Sequence, residues 1–268
     1  MLIPDPSPAD LWPIYGRHAA AILGRGPAPI ADSGAGWSIA LSGAGHVDLN
    51  QAALYGLAAR PAVDAVVERI VAARVPILLG ASAGLGFDVA GVLQQAGFIR
   101  SPGEEALFWA GRAPAATGSG FEVRRARDRA DLEGIWSIFG DVHGYEPDLV
   151  ESMYGEGFLD NAEVQPWLAV DGGGPVSCAF VTVLGRTLGL FEVMTPARHR
   201  RRGAAGALVR TALSTVAGEQ SGGFDGILLW ASPAGRPMYV ALGFTILDLV
   251  TAWTLGASDE DLAAVGAG

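Results

Sequence analysis

Two kinds of apolar pattern alternate along this chain, helical spacing and short uninterrupted runs. Between residues 204 and 215 the apolar positions recur three and four residues apart, which predicts an amphipathic helix. An apolar run at residues 186–195 precedes this helix, and a second run at Gly226–Ala231, flanked by turn residues, follows it. The pattern therefore predicts a strand, a helix and a second, buried strand in this order.

The same reasoning extends over the rest of the C-terminal half. Strands are predicted at residues 121–125, 167–170 and 175–184, and helices at residues 130–139 and Pro147–Tyr154. The turn at residues 171–174, Asp-Gly-Gly-Gly, joins two of these strands as a hairpin. A short helix follows Gly226–Ala231, because Pro237 suits a first helical turn and Gly243 suits a helix end. A terminal strand completes the order.

The N-terminal half carries weaker signals of the same kind. Helices are predicted at residues 9–23, 62–73 and 87–96, and strands or extended segments at residues 37–42, 46–56, 76–79 and 106–110. Residues 24–36 are rich in glycine, proline and alanine, which predicts a loop. Residues 114–120, Pro-Ala-Ala-Thr-Gly-Ser-Gly, are typical of a linker between two domains.

Composition narrows the function classes. Half of the 268 residues are hydrophobic and 17% are charged, so a packed core is expected and disorder is not. The net charge of −10 disfavours nucleic acid as a partner and is compatible with a cationic or amine substrate. A single cysteine excludes an internal disulfide framework. Neither a signal-peptide pattern nor an apolar stretch of membrane-spanning length is present, so we expect a cytoplasmic protein without a membrane partner.

Candidate chemistry begins at the turn between the strand at residues 186–195 and the following helix. Arg200, Gly203 and Ala205 have the spacing Arg-x-x-Gly-x-Ala, with Arg198, Arg201 and Arg202 beside them. Glycine lets backbone N–H groups approach a ligand closely, and a helix N-terminus favours an anion. A pyrophosphate fits this turn; the alternative is a solvated arginine run that caps a helix.

A second motif changes the balance between these alternatives. Ala231-Ser232 is followed by Tyr239-x-x-Leu242-Gly243-Phe244. With both motifs in order, and a strand before each, residues 121–255 resemble the GNAT-superfamily N-acetyltransferases. Arg200-x-x-Gly203-x-Ala205 resembles their acetyl-CoA pyrophosphate loop, and the second segment resembles the one that carries their general-acid tyrosine. One departure is Ala197, which stands where many relatives have proline, while Pro196 lies one residue earlier.

An internal repeat links the two halves. Leu-Leu-Gly-Ala-Ser at residues 78–82 matches Leu-Leu-Trp-Ala-Ser at residues 228–232, and Ala-Gly-Phe at residues 96–98 matches Leu-Gly-Phe at residues 242–244. By this alignment Leu93 stands where the later copy has Tyr239, and the first copy lacks the arginine loop. We interpret the N-terminal half as a shortened, degenerate GNAT-like copy; chance similarity between two strand–helix units is the alternative.

The resemblance implies a fold and a division into domains. The expected fold is α/β with a mixed sheet, a tandem GNAT fold whose first copy is degenerate. Residues 1–113 would form the degenerate domain, residues 114–120 the linker, and residues 121–268 the acetyltransferase domain. Acetyl-CoA is the implied co-substrate. The four histidines show no metal-ligand spacing, so no metal is expected.

The resemblance also assigns roles to residues. Tyr239 would protonate the leaving thiolate, the N–H group of Val193 would bind the oxyanion, and Thr195 would pair with the pantetheine arm. Glu192 is the first candidate for a base, and strand alternation predicts that it lies on the face opposite Phe191 and Val193. Asp141, His143, Glu146 or a water chain are alternative bases. The implied cofactor-binding residues are Val193, Thr195, Arg198, Arg200, Arg201, Arg202, Gly203, Ala204, Ala205 and Gly206.

The acceptor is less defined. Trp136, Tyr145, Tyr154 and Phe158 could line its pocket, because binding sites are mostly apolar, although ordinary core packing is the alternative for each. We expect a small-molecule or peptide amine as acceptor. An exposed terminal strand could pair across a homodimer. The alternative to an acetyltransferase is a non-catalytic acyl-CoA-binding regulatory protein.

Overall fold

The structure, a computed structural model, describes residues 6–56, 60–85 and 88–257. The chain forms two compact units, neither of which is continuous in sequence. The N-terminal unit contains the described residues up to Phe108, together with Trp230–Pro237 and those from Ile246 to Ala257. The C-terminal unit contains Trp109–Leu229 and Met238–Thr245.

Helices and strands follow each other along the chain in two similar series. The first is α1 (Pro8–Leu23), β1 (Ile30–Gly34), β2 (Trp37–Leu41), β3 (Asn50–Leu54), α2 (Arg60–Ala72), β4 (Ile77–Ser82), α3 (Val89–Gln95), β5 (Ile99–Arg100) and β6 (Glu105–Ala110). The second is β7 (Glu122–Arg125), α4 (Arg129–His143), α5 (Pro147–Tyr154), β8 (Val164–Asp171), β9 (Gly174–Leu184), β10 (Thr187–Met194), α6 (Ala204–Glu219), β11 (Gly226–Ala231), α7 (Arg236–Ala241) and β12 (Thr245–Leu255). The element order predicted for the C-terminal half is confirmed.

The sheet of the C-terminal unit has the strand order β11-β10-β9-β8-β7. Its pairs are antiparallel except β10 with β11, which is parallel. Helices α4 and α6 pack against β9. Asp128 caps α4 by accepting a hydrogen bond from the backbone N–H of Asp131 at 3.0 Å, and Gly144, with φ 71°, ends this helix in the left-handed conformation.

In the N-terminal unit, β1, β2, β3 and β4 are neighbours in this order, and β12 follows β4. Strand β12 pairs antiparallel with β4 from Val250 opposite Ser82 to Leu255 opposite Ile77. This pairing buries Ala252 and Trp253. The compact units therefore differ from the predicted contiguous domains 1–113 and 121–268, because the last strand of the second series belongs to the N-terminal unit.

Two strands were missed by the sequence prediction, the two-residue β5 and the longer β1. Residues 24–36 were predicted as a loop, yet β1 lies there and pairs antiparallel with β2. Four of its five residues are exposed, so it has no apolar face that a period-2 pattern could reveal. Residues 114–120 contain no helix or strand. Within the described ranges, none of the helices has the length and apolarity needed to cross a membrane.

The internal repeat is visible in the backbone. After α3 the N–H of Phe98 donates to the carbonyl of Leu93 at 3.0 Å, and after α7 the N–H of Phe244 donates to that of Tyr239 at 3.1 Å. The intervening glycines, Gly97 and Gly243, have φ values of 89° and 88°. The two helix ends therefore have the same geometry, which agrees with the alignment of Leu93 with Tyr239.

Candidate active site

Strand β10 contains an irregularity just before it enters the arginine loop. Phe191 pairs with Phe180 on β9, and the next pair is Met194 with Cys178, so Glu192 and Val193 oppose a single residue. This two-against-one count is a β-bulge. Glu192 adopts a left-handed φ of 51°. The bulge interrupts the alternation on which the predicted direction of Glu192 depends, so this direction stays a prediction.

Strand β10 pairs with β11 only over its first residues and then separates from it. Parallel pairing covers Thr187–Gly189 of β10 and Gly226–Leu228 of β11, although both strands continue further. In the N-terminal unit, the equivalent strands β3 and β4 remain paired as far as Leu54 and Ala81. The early separation of the two strands is thus a feature of the C-terminal copy.

A buried serine anchors the chain as it leaves the bulge. The hydroxyl of Ser177 on β9 donates to the carbonyl of Met194 at 2.7 Å and lies 2.9 Å from the hydroxyl of Thr195. The Nε of Arg200 donates to the Thr195 carbonyl at 3.0 Å. Thr195 is therefore fixed on both sides, and its pairing with a pantetheine arm stays a prediction. Sequence reasoning missed Ser177, because a small polar residue within a strand carries no distinguishing signal.

The arginine loop positions the N-terminus of α6. A 3₁₀ turn at Ala197–His199 is followed by two left-handed residues, Arg201 with φ 63° and Gly203 with φ 87°. Gly203 is the N-cap and has no side chain to accept from the first-turn N–H groups. These donors, from Ala204 onward, are thus available to a ligand. Arg201 and Glu192 belong to the three described non-glycine residues with positive φ, and such strain clusters at functional sites.

Two of the four predicted phosphate-binding arginines form ion pairs with carboxylates. Arg198 Nη2 donates to Asp141 Oδ2 at 2.7 Å, and Arg202 Nη2 donates to Asp171 Oδ2 at 3.0 Å. The hydrogen bond from Arg198 lowers the pKa of Asp141. The backbone N–H of Gly173, and then Arg202, lower the pKa of Asp171. Asp141 is therefore a weaker proton acceptor than an unpaired carboxylate.

Tyr239 lies in α7, which follows β11. Its side chain is 6% exposed, and burial raises the pKa of the phenol well above its usual value. Its ring packs edge-on against Phe244, with centroids 5.9 Å apart. Helices α6 and α7 both start beyond the carboxyl ends of parallel neighbouring strands, so the arginine loop and Tyr239 lie at the same edge of the sheet.

No family model matches this chain, and no curated protein matches it. Several solved structures do match this chain. The GCN5-related N-acetyltransferase (GNAT) from Kribbella flavida superposes with a TM-score of 0.64 at 18% identity, over 92% of this chain and 95% of that one. A GCN5-related N-acetyltransferase from Sphaerobacter thermophilus gives 0.59 at 13% identity, over 84% and 80%.

This chain has the GNAT fold. A tandem GNAT protein from the clavulanic acid biosynthesis pathway also matches, with a TM-score of 0.52 at 15% identity over 87% of this chain and 85% of that one. The whole-chain coverage agrees with the two similar series of elements. The resemblance to GNAT proteins that the sequence indicated is thereby confirmed for the fold. What reaction the protein performs has to be inferred from the geometry of the site.

The four aromatic residues predicted to line the acceptor pocket of the GNAT fold lie together in a packed cluster. Trp136, Tyr145, Tyr154 and Phe158 are 8%, 5%, 0% and 2% exposed. The indole N–H of Trp136 donates to the carbonyl of Tyr154 at 3.0 Å, and the Tyr154 ring lies 4.7 Å from that of Phe139. This geometry agrees with core packing, and the role of these residues as pocket walls stays a prediction.

His143 and Glu146, two of the alternative bases, lie at the ends of helices. His143 ends α4 and stacks on Tyr145 with ring centroids 5.0 Å apart, and Glu146 precedes α5 as its N-cap. Burial, with the charge of Glu192 adding to it, raises the pKa of the Cys178 thiol, so this cysteine stays protonated in the core. Within the described parts of the chain, no group of three histidine, cysteine, aspartate or glutamate side chains is placed to hold a metal ion.

Proposed function

We propose that this protein is an N-acetyltransferase that transfers the acetyl group of acetyl-CoA to a small-molecule or peptide amine. The observation that carries the proposal is the combination, within one unit, of the bulged strand β10, its early separation from β11 and the uncapped N-terminus of α6. A thioester arm could pair with the open edge of β10 while its pyrophosphate binds at the helix.

The residues of the loop fit acetyl-CoA. The backbone N–H groups of Gly203, Ala204, Ala205 and Gly206 would bind the pyrophosphate, because helix N-termini present unpaired donors and a positive dipole end to an anion. Arg200 and the exposed Arg201 add positive charge at the same turn. Val193, in the bulge, would present its backbone N–H to the thioester carbonyl.

The reaction proceeds by direct attack. The neutral amine nitrogen bonds to the thioester carbon, and negative charge develops on the carbonyl oxygen beside the Val193 N–H. The C–S bond then breaks, and the thiolate takes the phenol proton of Tyr239. This phenol is protonated at neutral pH, as a general acid must be, although burial raises its pKa and so weakens it as an acid in the unliganded protein. The proton lost by the amine goes to Glu192 or to a water chain.

Replacing Tyr239 with phenylalanine tests the proposal. Thiol release from acetyl-CoA in the presence of an accepted amine should fall about 10²- to 10⁴-fold, the usual contribution of a well-placed acid, while acetyl-CoA binding persists. Tyr55→Phe is the matched control, since this hydroxyl donates to the carbonyl of Trp37 in the N-terminal unit at 3.0 Å. Unchanged turnover in Tyr239→Phe would remove the phenol from the mechanism.

A further inference from the structure

Two carboxylates hold the arginine loop from different elements. Asp141 lies in the last turn of α4 and pairs with Arg198, and Asp171 is the last residue of β8 and pairs with Arg202. Both arginine side chains are at least half exposed, at 59% and 50%. Sequence reasoning assigned these two arginines to phosphate and Asp171 only to a hairpin turn.

Charge balance explains these pairs. Arginines beside a helix N-terminus have the same sign as its dipole end, so they need a local anion. Carboxylate and phosphate oxygens both match the planar guanidinium group, which donates to either in the same forked geometry. Asp141 and Asp171 therefore occupy donors that a phosphate at this helix would otherwise use.

We propose that Asp141 and Asp171 are affinity-setting residues, which compete with the phosphates of acyl-CoA for Arg198 and Arg202. The inference rests on the proposed function, since it concerns the same loop. Asp141 also belongs to α4, so the ion pair that joins this helix to the loop breaks when Arg198 binds a phosphate instead. Acyl-CoA binding is thus coupled to α4, next to the aromatic cluster.

The test measures the dissociation constant of CoA by calorimetry for the wild type, Asp141→Asn and Asp171→Asn. Each asparagine variant should bind CoA about two- to fivefold more tightly, the scale of an exposed ion pair. Asp225→Asn is the matched control, because Asp225 forms a similar pair with Arg186 at 2.8 Å but lies just before β11, at the opposite sheet edge from the loop. It should leave the CoA affinity unchanged.

A double-variant cycle separates competition for the arginine from simple removal of a negative charge. In the background Arg198→Gln, the gain from Asp141→Asn should shrink towards none, because no guanidinium remains to be released. Equal or weaker CoA binding in both asparagine variants, with normal binding by the wild type, would overturn the inference and leave the proposed function standing. No CoA binding by the wild type would contradict the proposed function itself.

Discussion

Replacing Gly206 with glutamate should stabilise the unliganded protein and abolish its response to acetyl-CoA. Gly206 lies in the first turn of α6, where an added Cβ would come within 3.4 Å of Arg210 Nη1, the flexible end of a side chain one helical turn away. Replacing glycine within a helix contributes about 0.5–1 kcal/mol. A carboxylate near the N-terminus adds about 0.3–1 kcal/mol. A pair with Arg210 adds about 0.2–0.5 kcal/mol.

The sum is about 1–2.5 kcal/mol in favour of the folded state, or roughly 2–10 °C in Tm for a chain of this size. The same carboxylate stands where the pyrophosphate should bind. At about 100 times its Kd, acetyl-CoA should add about 2.7 kcal/mol to the stability of the wild type. In Gly206→Glu this gain should disappear, because two anions cannot share one helix N-terminus.

The assay is thermal unfolding with and without acetyl-CoA, and Gly206→Gln is the control. Glutamine has nearly the same size and helix propensity but no charge, so it should keep most of the ligand response. Gly218→Ala, near the other end of α6 with no atom within 4 Å of its Cβ, gains helix propensity far from the ligand. If the Gly206→Glu variant responded to acetyl-CoA as strongly as the wild type, the anion site at this helix would be refuted.

Two further predictions concern the strained strand and a buried carboxyl. Glu192→Gly should be about 1 kcal/mol more stable than Glu192→Ala in urea unfolding, because glycine tolerates the φ of 51°. Equal loss of turnover in both variants would identify the carboxylate as the base. Full activity in either variant would exclude it. Burial, with the charge of Asp48 adding to it, raises the pKa of Glu105 to about 7. The neutral carboxyl therefore stabilises the fold below its unfolded pKa of 4.5, and this stability is lost as the pH rises through about 7. Glu105→Gln should reduce the loss between pH 5.5 and 8.5 by up to about 2 kcal/mol; an unchanged pH slope would show that Glu105 ionises without cost.

The elements of the C-terminal half could be predicted because each shows a local signal. Apolar spacing marks α6, an apolar run marks β11, and glycines mark the turns. The bulge at Glu192 and Val193 could not be predicted, because neither residue type signals a left-handed backbone. Pairing of β12 with β4 could not be predicted either, since an apolar run does not specify its partner strand and the register is decided by long-range packing.

The candidate site divides in the same way. The arginine loop was recognised from its spacing, since glycine and the helix start are local features, whereas Tyr239 was assigned from the resemblance to the GNAT family. The ion pairs of Arg198 and Arg202 depend on residues 57 and 31 positions earlier in the chain, so only the fold brings them together. Local patterns thus located the loop, whereas the ion pairs of its arginines are visible only in the structure.

The central claim is acetyl transfer, and the most direct measurement is product formation. The protein is incubated with acetyl-CoA and a panel of amines, and free thiol and acetylated amine are quantified together by absorbance and mass spectrometry. We predict thiol release with an equal amount of acetylated amine for at least one amine, and its loss in Tyr239→Phe. Saturable acetyl-CoA binding without acetylation of any amine would contradict the enzyme and leave a non-catalytic acyl-CoA-binding regulatory protein.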